Sequence, residues 1–118
     1  MRQRFRILIV EPDILFQYQL VEHFRSRGHA VTAVNNARYA PRSTETTFDV
    51  AIGEMEMMGY ARSRKMRGGA IPVVVILTDD AKTAQEKNDD NIAASILKKP
   101  SNPGDVTRAI SDHYNRQQ

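Results

Sequence analysis

Apolar positions along this chain alternate between short unbroken runs and wider, helix-like spacings. Phe5-Arg6-Ile7-Leu8-Ile9-Val10 is rich in β-branched residues and stops at Pro12, which has no N–H to give to a sheet ladder, so it predicts a first strand. From Ile14 onward, Ile14, Leu15, Tyr18, Leu20, Val21 and Phe24 fall roughly on one face of a helix, and Gly28 supplies its stop. Further strands are predicted over His29 to Val34, Phe48 to Gly53, Ile71 to Leu77 and Ala94 to Leu97. Val73 to Leu77 is apolar without alternation, the pattern of a strand covered on both faces in a parallel sheet.

Helical patterns fill the gaps. A helix starting at Asn36 is broken or ended by Pro41, and Tyr60 to Arg67 leaves room for two turns closed by Gly68-Gly69. Asp79 to Asn88 reads as a polar helix with Asp79 or Asp80 near its N-terminus, and Asp105 to Tyr114 as a helix turning Val106, Ala109, Ile110 and Tyr114 inward. Five strands alternating with about five helices imply right-handed crossovers and a doubly wound parallel sheet, in a single domain spanning residues 1–118. Such sheets carry function at the carboxyl ends of their strands, which here bring together Glu11, Glu54, Thr78 and Lys99.

Composition narrows the function classes. At 118 residues, 41% hydrophobic and 26% charged, the chain is long enough to bury a core without staples. With no cysteine, a disulfide framework or thiolate metal site is excluded. No apolar run approaches the roughly 20 residues of a membrane span, and Ile7 to Val10 behind the basic Met1-Arg2-Gln3-Arg4 is too short for a signal segment. A cytoplasmic protein that does not engage a membrane is expected.

The net charge is +3, and the cluster Arg62, Arg64, Lys65 and Arg67 reads as a solvated helix face, so nucleic acid is not expected as a partner of this domain itself. No glycine-rich loop follows the first strand, which argues against a dinucleotide or nucleoside triphosphate. His23, His29 and His113 have no nucleophile in register, so hydrolytic chemistry and, more broadly, an enzyme are not expected.

Four segments in order, Ile7-Leu8-Ile9-Val10-Glu11, Phe48-Asp49-Val50-Ala51-Ile52-Gly53-Glu54, Ile76-Leu77-Thr78 and Leu97-Lys98-Lys99-Pro100, resemble the receiver domain of two-component response regulators over essentially the whole chain. The resemblance implies a flavodoxin-like fold with a cis bond before Pro100. It also implies that Glu11 stands at the first metal-binding acid, Glu54 at the phosphoacceptor, Thr78 at the switch hydroxyl and Lys99 at the pocket lysine.

The departures from that pattern share a direction. Pro12 replaces the second acid of the metal pair and is expected at the first helical position. Mg²⁺ binding is therefore expected to be weak or absent, with no cofactor. Glu54 is one methylene longer than the usual aspartate, which displaces it from in-line attack. It then either mimics the charged state permanently or simply neutralises Lys99. Asp79, in place of a small residue, is read as a helix cap that also repels a phosphodonor.

Ile96 stands at the aromatic-switch position and cannot reproduce an aromatic swing, while Met58 replaces a loop proline and the third helix is expected to be shortened. The function these features imply is an atypical receiver, a pseudo-receiver, serving as a protein-interaction module. Its partner would be another signalling protein, an output domain or a second copy. The face would be formed by the fourth helix, fifth strand and fifth helix, with Lys82, Glu86, Lys87, Arg108 and Asp112 as contacts. Alternatives are a weakly phosphorylatable, Mg²⁺-dependent receiver, or the regulatory domain of a DNA-binding transcriptional regulator.

Overall fold

The computed structural model describes residues 4–41 and 46–116. The basic start at Met1 to Gln3, the middle of the predicted 36–47 segment, and the terminal Gln117 and Gln118 lie outside the described residues. The chain runs β1 (Arg6–Val10), α1 (Ile14–Arg25), β2 (Ala30–Val34), a 3-10 turn (Ala37–Tyr39), β3 (Val50–Gly53), α2 (Glu56–Met66), β4 (Val73–Thr78), α3 (Ala81–Lys87), β5 (Ser95–Lys98) and α4 (Pro103–Arg116). All pairings are parallel in the order β2-β1-β3-β4-β5, so the sheet is doubly wound as expected.

Alternation along the strands divides the core into two layers. Ile7, Ile9, Val50, Ile52, Val75 and Leu77 face α1 and α4, where Leu20, Phe24, Val106 and Ile110 cover them. Leu8, Val10, Ala51, Val74 and Ile76 face the other way, against Met57, Met58 and Ala61 of α2 and Ala84 of α3. Val74 to Thr78 are buried, which explains the unbroken apolar run of β4.

Glycine closes two helices as their sequence positions suggest. Gly28 and Gly68 hold φ of 88° and 77°. The N–H of Gly68 reaches the Lys65 carbonyl and that of Gly69 the Arg64 carbonyl, satisfying the last turn of α2. The Lys99–Pro100 bond is cis, as the resemblance implies.

Several expectations are corrected. The six apolar positions of α1 do not share one face: Leu20, Val21 and Phe24 are buried, while Ile14, Leu15 and Tyr18 are exposed. Pro12 does not occupy the first helical position, because Asp13 is the cap, its Oδ1 accepting from the N–H groups of Leu15 and Phe16.

The third helix is not cut to two turns but spans Glu56–Met66, and Met58 is buried within it rather than lying in a loop. The element that shrinks is the second helix, reduced to the turn Ala37–Tyr39 ahead of Pro41, which leaves four α-helices among the described residues. Asp80, not Asp79, caps α3, its Oδ1 accepting from the Thr83 N–H.

The basic cluster of α2 is also not a uniform solvated face. Arg64 is 1% exposed, donating to the carbonyls of Ala70 and Thr46 and lying over the Tyr60 ring. Arg62 forms a two-pronged pair with Asp90 at 2.8 Å on each arm and donates to the Lys87 carbonyl at 2.7 Å. Among the described residues, no helix is long and apolar enough to cross a membrane.

Candidate functional site

Strand register assembles the site at the carboxyl edge of the sheet. Val10 pairs with Gly53, so Glu11 and Glu54, each one residue further on, emerge side by side from adjacent strands. Thr78 pairs with Lys98, which brings Lys99 to the same edge, and the Lys99 N–H donates to the Thr78 carbonyl at 2.8 Å.

Gly53 is required by this closeness. A Cβ there would meet Met57 Cγ at 2.5 Å and the Val10 carbonyl oxygen at 2.8 Å. The glycine lets β3 turn into α2 against β1 and so sets where Glu54 points.

The Lys99 ammonium lies between the two carboxylates, 2.8 Å from Glu54 Oε2 and 3.0 Å from Glu11 Oε1. The carboxylates differ in exposure, 1% for the Glu11 side chain against 36% for Glu54. Glu11 Oε2 accepts from the Asp13 N–H at 2.9 Å. Oε1 receives no well-aligned donor, so its contact with Nζ is an ion pair rather than a hydrogen bond.

Burial alone would lower the Lys99 pKa. Close contact with Glu54 and then with Glu11, together with the charges of both carboxylates, outweighs burial and holds the ammonium above the ordinary lysine value. Lys99 therefore supplies a fixed positive charge at the strand edge.

The remaining positions are arranged around this trio. Thr78 is 4% exposed, and its Oγ1 accepts from the Asp80 N–H at 3.0 Å. Pro12 is exposed and brings no carboxylate, while Asp13 and Asp79 border a groove with Phe16, Lys99 and Pro100. Among the described residues, no three acidic, histidine or cysteine side chains converge on a point suited to a metal ion. The two carboxylates present, Glu11 and Glu54, both face Lys99, so a hard cation entering here would compete with the ammonium for them and would draw its remaining oxygens from water or backbone.

Ile96 is half-buried against the core layer of α2 and α3. Lys82, Glu86 and Lys87 on α3 and Arg108 and Asp112 on α4 are all exposed, on helices covering opposite faces of the sheet beside edge strand β5.

Two participants escaped the sequence reasoning. The Phe16 ring centre lies 5.9 Å from Lys99 Nζ, and Gln17 Nε2 donates to the carbonyls of Glu11 and Val34, tying off the ends of β1 and β2. The signal for Phe16 was present, since Phe16, Leu20 and Phe24 recur every fourth residue along the buried stripe. Nothing in the sequence singles out Gln17.

No protein-family model matches the chain, and no curated protein does. Comparison of folds is informative. The regulatory domain of the repressor of iron transport regulator, RitR, in its inactive form aligns with a TM-score of 0.79 and 19% identity, covering 94% of this chain and 95% of that one. A structure from work on streptococcal redox sensors evolved from two-component response regulators also aligns at 0.79 and 19%, covering 95% of this chain. This chain spans about half of that protein, 52% of its length. The chemotaxis protein CheY4 of Vibrio cholerae aligns at 0.76 and 18%, covering 93% and 98%. The chain thus has the fold of response-regulator receiver domains.

Proposed function

We propose that this chain is a pseudo-receiver: a signalling module that keeps the receiver fold for binding a protein partner, independently of aspartyl phosphorylation. The observation that carries the proposal is the Lys99 ammonium held between Glu11 and Glu54 at 3.0 and 2.8 Å. A phosphoryl group arriving at Glu54 must displace an ion pair. It must do so without a second metal-binding acid at Pro12, on a side chain one methylene longer than aspartate.

The pair instead holds the pocket in one charge state, and the module acts as a constitutive surface. Its partner is another signalling protein or an output domain, bound through the exposed residues flanking β5. Mg²⁺ binds weakly or not at all, no catalysis is assigned, and the protein works in the cytoplasm.

A Mg²⁺-dependent, weakly phosphorylatable receiver is the second reading. It is favoured by one feature, the buried Glu11 Oε1 that lacks a hydrogen-bond donor. Amide NMR titration with Mg²⁺ and then beryllofluoride separates the two. The proposal expects no shifts at Glu11, Glu54 and Thr78. Saturable shifts spreading from them into α3 would overturn it, as would incorporation of a hydroxylamine-labile phosphate from a small-molecule phosphodonor.

A further inference from the structure

The side of the molecule away from β5 carries an apolar surface that the pocket does not explain. Ile14, Leu15 and Tyr18 on α1 are 65%, 76% and 63% exposed, and Tyr39 at the end of the 3-10 turn is 59% exposed. These side chains are contiguous. Ile14 and Tyr18 are one helical turn apart and Leu15 lies beside both, while Ile14 and Tyr39 line one groove with Ala33 and Val34 of edge strand β2. Among the described residues of the β2–β3 crossover, only Ala37–Tyr39 is helical, and none of them forms an α-helix over the patch. Together the four side chains present roughly 450 Å² of surface to water, in the range where a patch on a monomer serves an interaction.

We infer that this face is a two-fold interface between two copies of the chain, separate from the surface beside β5. The patch is self-complementary. A two-fold axis passing midway between Ile14 and Tyr18 runs the two α1 helices antiparallel and sets Ile14 of each copy on Tyr18 of the other. The aliphatic positions then meet aromatic rings, with Leu15 beside the axis.

The rim carries both signs, with Asp13 and Glu22 on α1 and Arg38 stacked over the Tyr39 ring at 5.1 Å. One copy can therefore offer the base where the other offers the acid. The apolar centre supplies about half of the roughly 800 Å² per partner of a standard stable interface, and the rim must supply the rest. An apolar centre of that size suits a reversible dimer rather than an obligate one.

Sedimentation velocity of the full chain over a concentration series tests this. A monomer–dimer equilibrium is expected, weakened about tenfold or more by Leu15→Glu and by Tyr18→Glu. Far-ultraviolet circular dichroism should be unchanged, because both side chains are solvent-exposed. Met66→Glu, at an 86% exposed apolar position on α2, should leave the equilibrium intact. A chain that stays monomeric throughout the series overturns the inference. So does a dimer that survives both α1 substitutions, or one that Arg108→Glu disrupts instead. These outcomes do not depend on whether the Lys99 pocket takes Mg²⁺ or beryllofluoride, so each proposal can fail alone.

Discussion

Glu11 Oε1 lies 3.0 Å from Lys99 Nζ, and the Glu11 side chain is 1% exposed while that of Lys99 is 23% exposed. The buried member of the pocket is therefore the acid at the end of β1, not Glu54. Removing the ammonium leaves a carboxylate in the core with a single backbone donor on its other oxygen. Lys99→Ala is expected to destabilise by about 2–4 kcal/mol, slightly under the usual figure for breaking a fully buried pair because Lys99 keeps some solvent.

Glu54→Gln should lose less than about 1 kcal/mol, since Glu54 is 36% exposed and its pairing is screened. Urea unfolding of the two variants measures the contrast, and equal losses would contradict it. The raised Lys99 pKa sets the pH window. The pairing contributes fully below the ordinary lysine value of 10.5 and fades only as pH rises through the higher folded value.

The Gly53 position tests how tightly the strand edge is packed. A methyl group there would sit 2.5 Å from Met57 Cγ and 2.8 Å from the Val10 carbonyl oxygen, and Met57 is fully buried. Gly53→Ala is expected to destabilise by about 1–3 kcal/mol. Because the backbone oxygen cannot step aside as a side chain can, adding Met57→Ala should not restore stability. A neutral Gly53→Ala in thermal unfolding would show that the β3–α2 join is looser than described.

Arg64 anchors two segments of backbone. Its guanidinium donates to the Ala70 carbonyl at 3.2 Å and to that of Thr46. Arg64→Met keeps the bulk and removes the donors, and is expected to cost about 2–4 kcal/mol through stranded carbonyls. Lys65→Ala and Arg67→Ala, both exposed, should stay within about 0.5 kcal/mol. Chemical denaturation of the three variants checks the difference.

His29 makes stability depend on mildly acidic pH. Its Nδ1 accepts the Phe5 N–H at 3.0 Å, and the ring stacks on Phe5 at 5.4 Å with an edge of contact to Phe24. A protonated ring would present a donor to a donor. Burial, then the charges of Arg27 and Arg4, push its pKa below 6.5. A base with a lowered folded pKa binds its proton more readily when unfolded. Stability is thus full above 6.5 and declines as pH falls from there through the folded value. His29→Gln, which can still accept the Phe5 N–H, should flatten that decline in a pH series of denaturation midpoints. His23 is shifted the same way by burial and Arg27, so a residual slope is expected from it.

Asp90 offers a direct spectroscopic check on the α2–α3 side. The Arg62 hydrogen bonds hold its carboxyl down at about 2, against an ordinary 3.8. Side-chain NMR titration should find that midpoint, and Arg62→Gln should return it toward 3.8. The contribution of the pair is present above 3.8 and lost as pH falls through about 2.

Local pattern in the sequence determined the strands, their parallel order of burial and the residues at their carboxyl ends. An unbroken run such as Val73 to Leu77 has one consistent environment, and glycines such as Gly28 and Gly68 reflect backbone demands that neighbours cannot alter. Glu11, Glu54, Thr78 and Lys99 were legible as a group because strand ends in a parallel sheet must share an edge.

Tertiary structure decided the rest. Apolar positions wrap widely around α1, and only the packing of Phe16, Leu20 and Phe24 against the sheet determines that Ile14 and Tyr18 face water. Arg64 is buried because carbonyls from residues 46 and 70 reach it, and no spacing within α2 encodes them. Likewise, that Glu11 rather than Glu54 is the sequestered partner of Lys99 depends on how deep each strand end lies beneath the helices. Long-range burial sets that depth, and the order of residues does not.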